Sequence, residues 1–193
     1  MKQQCEAAKL RQQFKKNNSK NYVYALIGNH YKSWSGLKKQ LTENLCDTLR
    51  GRITFFLTRY HDVHNSYGRA SIRLDGKELT NFSWVDMYKQ EFDVNEMWKT
   101  TGEWDYNNSE FKEKWNNEAT FSDYDFLSAA TKYLQLSIKD ALKSENSLIR
   151  VFAIMDRRVG KRTLEKIRNA YSYKEYPEWV QQFYRLRMEK NEA

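Results

Sequence analysis

Ile53-Thr54-Phe55-Phe56-Leu57-Thr58-Arg59-Tyr60 is a run of β-branched and aromatic residues, which are typical of a β-strand. The stretch Ala70-Ser71-Ile72-Arg73-Leu74 alternates apolar and polar residues, as a strand with one buried face does. Asp75-Gly76 has the favoured chemistry of a two-residue hairpin turn, and residues 78–84 can form a further strand. We therefore predict a small antiparallel β-meander of about three strands over residues 52–84.

Two longer helices are predicted on either side of this meander. Leucines repeat at helical spacing over residues 35–50, between a serine that can cap the helix and a glycine that ends it. A continuous apolar stripe follows a cap formed by Ser122 or Asp123 and predicts another helix, which ends near residue 143.

The last third of the chain is predicted to be mostly helical. Residues 147–155 suit either a buried strand or a buried helix, and their context favours a helix. Gly160 interrupts this segment, Thr163 can cap the next one, and Pro177 lies at the start of a last amphipathic helix. The predicted fold class is α+β, in which the meander packs against helices from both chain ends.

The chain is predicted to be one domain with a short extension. Its 193 residues contain no repeat, Pro-rich linker or low-complexity run. We predict a basic N-terminal extension over residues 1–20 and a single α+β domain over residues 21–193. Cys5 and Cys46 are too few for a disulfide framework, and no apolar run has the length of a secretion signal or a membrane span. These features predict a cytoplasmic protein without a membrane partner.

Charge is distributed unevenly along the chain, whose net charge is +8. Residues 1–39 hold nine Lys or Arg against one Glu, residues 75–126 hold thirteen Asp or Glu against five Lys, and residues 143–190 hold twelve basic residues against six acidic ones. Two alternatives follow. The basic ends can form a surface for nucleic acid or another polyanion, or the acidic and basic segments can face each other within the fold.

The strongest candidate site is the stretch Asp156-Arg157-Arg158-Val159-Gly160-Lys161-Arg162-Thr163-Leu164. It places four cations, an aspartate and a glycine between the end of one predicted helix and the start of the next. Backbone N–H groups at the start of a helix, together with nearby cations, favour an anion such as a phosphate. The predicted anion-binding residues are Arg157, Arg158, Lys161 and Arg162.

The same stretch has a structural interpretation. It lacks the glycine-rich approach of a nucleotide-binding P-loop, so nucleotide hydrolysis is not predicted. Asp156 can equally bond Arg157 or Arg162 in a clamp between two helices. The sequence leaves both interpretations open.

Two other routes to nucleic acid can be drawn from the sequence. The basic stretch is similar to a helix-turn-helix, whose recognition helix would span residues 163–172 and carry Lys166, Arg168 and Asn169, although such residues are common on solvated helices. Bases could also stack on aromatic residues of the meander beside its arginines, although these aromatics more often pack against helices. The residues of this second route are Phe55, Tyr60, Tyr67, Trp84, Arg59, Arg69 and Arg73.

A surface for a protein partner is predicted in the acidic, aromatic-rich segment. Exposed aromatic side chains make strong interface anchors. The predicted contact residues are Trp98, Trp104, Tyr106 and Trp115, with Phe111 beside them.

A metal site is a minor hypothesis. His61-Asp62-Val63-His64 places two imidazoles and a carboxylate in a hairpin loop, but on an extended chain His61 points away from the other two. A metal-dependent hydrolase or nuclease would need a turn here and a third ligand, for which His30 and Asp75 are the evident choices. No other catalytic motif and no cofactor motif is present, so an enzyme is not indicated.

Four motifs of the chain resemble a family of small, uncharacterised bacterial proteins. They are Lys32-Ser33-Trp34-Ser35-Gly36-Leu37, Arg50-Gly51-Arg52-Ile53-Thr54, Asp75-Gly76-Lys77-Glu78-Leu79 and Asp156-Arg157-Arg158-Val159-Gly160-Lys161-Arg162. The resemblance implies a bacterial or phage-borne cytosolic protein and, since the family carries no assigned activity, it implies no catalytic residue. The predicted function is a non-enzymatic module that binds a polyanion, with a protein-interaction domain, for example of the defence, anti-defence or immunity type, as the alternative.

Overall fold

The computed structural model describes residues 34–59, 68–83, 118–119 and 121–188, and these form an α+β fold, as predicted. The predicted N-terminal extension, residues 1–20, lies outside the described residues.

Helix α1 spans Trp34–Asn44 and is shorter than the predicted helix. It ends early because Leu45 leaves the helical path and pairs with Asp156 in an isolated antiparallel bridge. Gly51, with a φ of 84°, lies in the turns that follow. The leucine spacing still marks the core, since Leu45 and Leu49 are buried although they lie outside the helix.

The predicted meander is present as an antiparallel sheet. Strand β1 (Ile53–Arg59) pairs along its whole length with β2 (Gly68–Leu74). Asp75 and Gly76 form the next turn with φ values of 49° and 83°, the left-handed conformation that this kind of hairpin turn requires.

The last predicted strand of the meander is divided in two. β3 (Lys77–Glu78) and β4 (Phe82–Ser83) both pair with β2, at opposite ends of it. Between them the hydroxyl of Thr80 accepts a hydrogen bond from the N–H of Ile72 at 3.1 Å. A side chain thus takes the place of a backbone carbonyl, and the ladder is interrupted.

The helix predicted to end near residue 143 is two helices. The first, α2, spans Asp123–Gln135 and begins with a capping box between Ser122 and Asp125. The second, α3, spans Ile138–Leu142.

The break between α2 and α3 has a local cause. Leu136 is extended, with φ −86° and ψ 153°. Ser137 then caps α3, because its hydroxyl accepts the N–H of Asp140 at 3.1 Å. A capping serine inside the apolar stripe therefore ends one helix and starts another.

Helix α4 (Ser147–Met155) resolves the ambiguous apolar stretch in favour of a helix, as predicted. Its cap is Asn146, whose side chain accepts the N–H of Ile149 at 3.2 Å. All of its residues except Arg150 are buried, which is why its apolar run could not distinguish a helix from a strand.

Two helices follow α4. Helix α5 spans Lys161–Asn169, and a short 3₁₀ helix, Tyr171–Glu175, connects it to α6 (Glu178–Met188). Helix α6 begins directly after Pro177, as predicted. None of the described helices is long and apolar enough to cross a membrane.

Helix α4 forms the centre of the described helices and contacts α2, α3 and α6. Aromatic rings join this layer to the sheet. The ring centroid of Phe126 lies 6.5 Å from Phe55 of β1, 5.6 Å from Phe82 of β4 and 5.5 Å from Phe152 of α4. One face of the sheet therefore packs on helices, and Phe55, at 1% exposure, belongs to the core.

Candidate anion-binding site

The candidate site consists of two parts. Residues 156–160, which we call the corner, connect α4 to α5, and the first turn of α5 follows them. Asp156 ends α4 and donates its N–H to the carbonyl of Ala153, and Val159 donates to the carbonyl of Asp156, both at 3.1 Å. Gly160 has a φ of −77° and is itself the N-cap of α5. The left-handed freedom of this glycine is therefore not used, and the prediction that Thr163 caps the helix is wrong.

The backbone of the corner is held by a neighbouring segment. Cys46 donates its N–H to the carbonyl of Met155 at 2.9 Å, and Arg157 donates to the carbonyl of Asn44 at 2.8 Å. These two bonds form the bridge that ends α1. Because α1 ends early, Asn44 and Cys46 can form these two hydrogen bonds, which fix the backbone of the corner.

A buried arginine of α6 holds the corner from another side. The side chain of Arg187 donates from Nε to the carbonyl of Ile154 at 3.0 Å and from Nη2 to the carbonyl of Val159 at 2.6 Å. Only 6% of this residue is exposed. Its guanidinium therefore donates hydrogen bonds to carbonyls at and beyond the C-terminal end of α4, where the helix dipole favours a positive charge.

Asp156 is the centre of a buried polar network. Its Oδ1 accepts the backbone N–H of Arg158 at 2.7 Å, and its Oδ2 accepts Nη2 of the same arginine at 2.6 Å. The hydroxyl of Tyr133, from α2, also donates to Oδ2. Burial alone raises the pKa of Asp156, but the hydrogen bonds from Arg158 and Tyr133 outweigh it and hold the pKa below its ordinary value.

The partners of Asp156 shift in the opposite direction. Burial, and then the hydrogen bond to the carboxylate, raise the pKa of Tyr133. The hydrogen bond to Asp156 raises the pKa of Arg158 further above its ordinary value. At neutral pH the network therefore holds an ionised aspartate, a neutral tyrosine and a charged arginine.

The four predicted anion-binding residues thus divide into two groups. Arg158 is bound to Asp156, although 47% of its side chain is exposed. Arg157, Lys161 and Arg162 are exposed, and among the residues that the structure describes they form no ion pair. Among the described residues, the predicted clamp from Asp156 to Arg157 or Arg162 is not formed, and Asp156 instead pairs with Arg158, two residues later in the same connection.

The first turn of α5 adds backbone donors to these cations. The N–H of Thr163 bonds to the carbonyl of Gly160 at 3.0 Å. The N–H groups of Lys161 and Arg162 belong to the part of a helix that has no intrahelical acceptor. Three exposed cations therefore lie at the N-terminal end of a helix.

Two acidic residues of the described middle segment bind arginines of the sheet region rather than the corner. Asp75 binds Arg52 at 2.8 Å, and Glu78 binds both Arg69 and Arg73. These three arginines lie outside both basic segments, so the predicted pairing of the acidic middle with the basic ends stays a prediction.

Only part of the stacking surface considered from the sequence lies in the described residues, and there Phe55 is not available to a base. Phe55 lies in the core, and the guanidinium of Arg73 lies 4.0 Å from the ring centroid of Phe56 on the outer face. Tyr60, Tyr67 and Trp84 lie outside the described residues, as does the side chain of Arg59.

The other predicted sites fall outside the described part of the chain. This holds for the protein-interaction residues Trp98, Trp104, Tyr106, Phe111 and Trp115 and for the candidate metal ligands His30, His61, Asp62 and His64. Asp75, the remaining candidate ligand, is bound to Arg52. Among the described residues, no group of three or more His, Cys, Asp or Glu could hold a metal ion.

Two members of the corner were not identified from the sequence. Tyr133 lies in the apolar stripe of α2, where a tyrosine reads as a core residue, and nothing in the sequence connects it with Asp156. Arg187 does carry a signal, because it lies one turn after Phe183 and two turns after Val180, on the buried side of α6. A cation at such a position predicts a buried partner.

Comparisons with known proteins place the chain in a family. No curated protein and no solved structure matches the sequence. A family model matches residues 33–188, which include every described helix and strand, and the chain therefore belongs to the SF0329 protein family.

Proposed function

We propose that this protein binds a polyanion, nucleic acid or another phosphate-containing ligand, through Arg157, Lys161 and Arg162. One observation carries the proposal: these cations are exposed and, among the described residues, without an acidic partner, while the backbone that bears them is held from several sides. An anion would supply the missing partner.

The fixed backbone matters for affinity. A binding site that is ordered before the ligand arrives loses less conformational entropy on binding. The bonds from Asn44 and Arg187 hold the corner, and Asp156 orients Arg158 beside it. Only the ends of the exposed side chains need to be ordered by the ligand.

The proposal is tested by the salt dependence of binding. A fluorescein-labelled DNA duplex of mixed sequence is titrated with the full chain at several salt concentrations, and its anisotropy is followed. We expect affinity to fall steeply with salt, with a slope of about −0.9 per phosphate contact. The variant with Arg157→Ala, Lys161→Ala and Arg162→Ala should bind more weakly, and its slope should be smaller by up to about 3.

A matched variant separates this site from general basic charge. Lys38, Lys77 and Lys139 are also exposed and, within the described residues, form no ion pair. Replacing these three with Ala removes the same charge and should leave the slope nearly unchanged. Equal losses in both triple variants, or binding that does not respond to salt, would reject the proposal.

The alternative of a protein partner has no specific observation in its favour, because its residues lie outside the described part. It stays a prediction, as do the minor hydrolase hypothesis, the bacterial or phage-borne origin and the cytoplasmic location.

A further inference from the structure

Helix α5 is the most exposed of the longer described helices. Of its residues only Leu164 is buried, and Ile167 is half-buried, while the other seven are exposed. Helix α4 is the opposite case, with a single residue that is not buried. Helix α5 therefore lies on the surface, and solvent reaches both of its flanks, on either side of its two apolar residues.

The cations of α5 lie in two rows along these flanks. Arg162 and Lys166 are one turn apart on one flank, and Lys161 and Arg168 are two turns apart on the other. Within the described residues none of the four forms an ion pair. The two rows point in different directions around the helix axis. They therefore fit phosphates on either side of the helix better than a single phosphate between them.

Two polar residues lie between the rows. Glu165 and Asn169 are one turn apart on the side of α5 opposite the half-buried Ile167, and both are exposed. A carboxylate in the middle of a surface that met phosphates alone would repel them. Against base edges, by contrast, the carboxylate of Glu165 can accept a hydrogen bond from cytosine N4, and the amide of Asn169 can pair with adenine.

From this arrangement, and resting on the proposed function, we infer that α5 enters the major groove of a DNA duplex. Its two rows of cations contact phosphates of the two strands, and Glu165 and Asn169 face the base edges. A B-form major groove is about 12 Å wide and admits an α-helix, whereas the major groove of an RNA duplex is too narrow for side chains to read. The nine residues of α5 are about 13 Å long, which spans a few base pairs.

Other polyanions fit this helix less well. An anionic membrane surface would need exposed apolar residues beside the cations, but the two apolar residues of α5, Leu164 and Ile167, face the protein. The geometry also differs from a helix-turn-helix, because the preceding helix α4 is buried and cannot cross the DNA backbone. Helix α5, which begins at Lys161 rather than Thr163, is the single element that enters the groove.

The inference is tested by comparing three labelled probes of one mixed sequence at one salt concentration. They are a DNA duplex, one of its strands, and the RNA duplex of the same sequence. We expect the full chain to bind the DNA duplex at least about tenfold more tightly than either of the others. Single-stranded DNA or RNA duplex bound as tightly as the DNA duplex would overturn the inference and leave the proposed function standing. Absence of salt-dependent binding to all three would reject the proposed function itself.

Base contact is tested separately with a randomised DNA duplex library. Bound duplexes should be enriched at a few base pairs, and Asn169→Ala should reduce discrimination at one of them by about tenfold without changing the salt slope. Glu165→Gln should lose discrimination and bind random DNA more tightly, since it removes a negative charge from the groove. A library without enrichment, or an Asn169→Ala variant with unchanged preference, would overturn the assignment of these residues to base edges.

Discussion

The arginines of the sheet and the cations of α5 carry the same charge in opposite settings. On the sheet, Arg69 and Arg73 share Glu78, and each has less than a third of its side chain exposed. On α5 the cations are exposed, and within the described residues they have no acidic partner. Net charge along the sequence therefore does not identify a binding surface. What distinguishes α5 is that four such cations, Lys161, Arg162, Lys166 and Arg168, lie together on one exposed helix.

Both settings occur at the corner, because Arg158 is paired like an arginine of the sheet, while its neighbours Arg157, Lys161 and Arg162 form no ion pair within the described residues. We expect the largest effect from removing its partner. Asp156→Ala leaves the buried Tyr133 hydroxyl and the half-exposed Arg158 guanidinium without their acceptor, and should lower the free energy of unfolding by about 3 kcal/mol. Urea unfolding measures this loss.

Asp47→Ala is the matched control, since the side chain of Asp47 is 92% exposed and its ion pair with Arg50 is long, at 3.5 Å. Its effect should stay below about 0.5 kcal/mol. Equal effects at the two positions would contradict the role of Asp156 in the corner.

The pH dependence of the Asp156 effect separates charge from shape. A carboxyl with a lower pKa in the folded than in the unfolded state contributes stability that is complete above the unfolded value of about 4. This contribution is lost as the pH falls through the folded pKa. Asp156→Asn keeps the size of the side chain, so wild type should lose more stability than this variant when the pH is lowered from about 5 to about 2. Identical acid unfolding of the two proteins would show that the charge is not the cause.

A smaller effect is expected on the sheet. Glu78→Gln removes the carboxylate that Arg69 and Arg73 share, and should lower the free energy of unfolding by about 1 kcal/mol, because the pairs are partly exposed and screened by solvent. Lys77→Gln, at the exposed neighbouring position, serves as the control and should have no measurable effect. If urea unfolding gave the same stability for both variants, the paired arginines of the sheet would not stabilise it.

Local features of the fold could be predicted from the sequence, and features set by distant contacts could not. Asp75-Gly76 predicts its turn because the residues themselves favour positive φ. The end of α1 at Asn44 was not predictable, since it depends on a bridge to Asp156 more than 100 residues later in the chain. Ser137 did carry a signal for the break after α2, but an apolar stripe outweighed one serine.

The candidate site followed the same rule. The cluster of cations was evident from the sequence, because the residues are adjacent. Which of them is paired was not, because Asp156 can reach several neighbours, and the choice of Arg158 depends on the conformation of the turn. The contribution of Tyr133 required the tertiary fold, since α2 brings it to Asp156 from 23 residues earlier.

The smallest effect on stability should come from the cations of α5. Arg162→Ala with Lys166→Ala removes two like charges one turn apart, whose repulsion costs about 0.2–0.5 kcal/mol, and alanine favours a helix. The free energy of unfolding should therefore stay the same or rise by a few tenths of a kcal/mol. In α1, by contrast, Lys39→Gln removes an attractive pair with Glu43 at nearly unchanged helix propensity, and should lower the free energy of unfolding by up to about 0.3 kcal/mol. A loss of about 1 kcal/mol or more in the α5 variant would mean that these cations stabilise the fold as the sheet arginines do. Exposed charge on α5 would then no longer indicate a ligand.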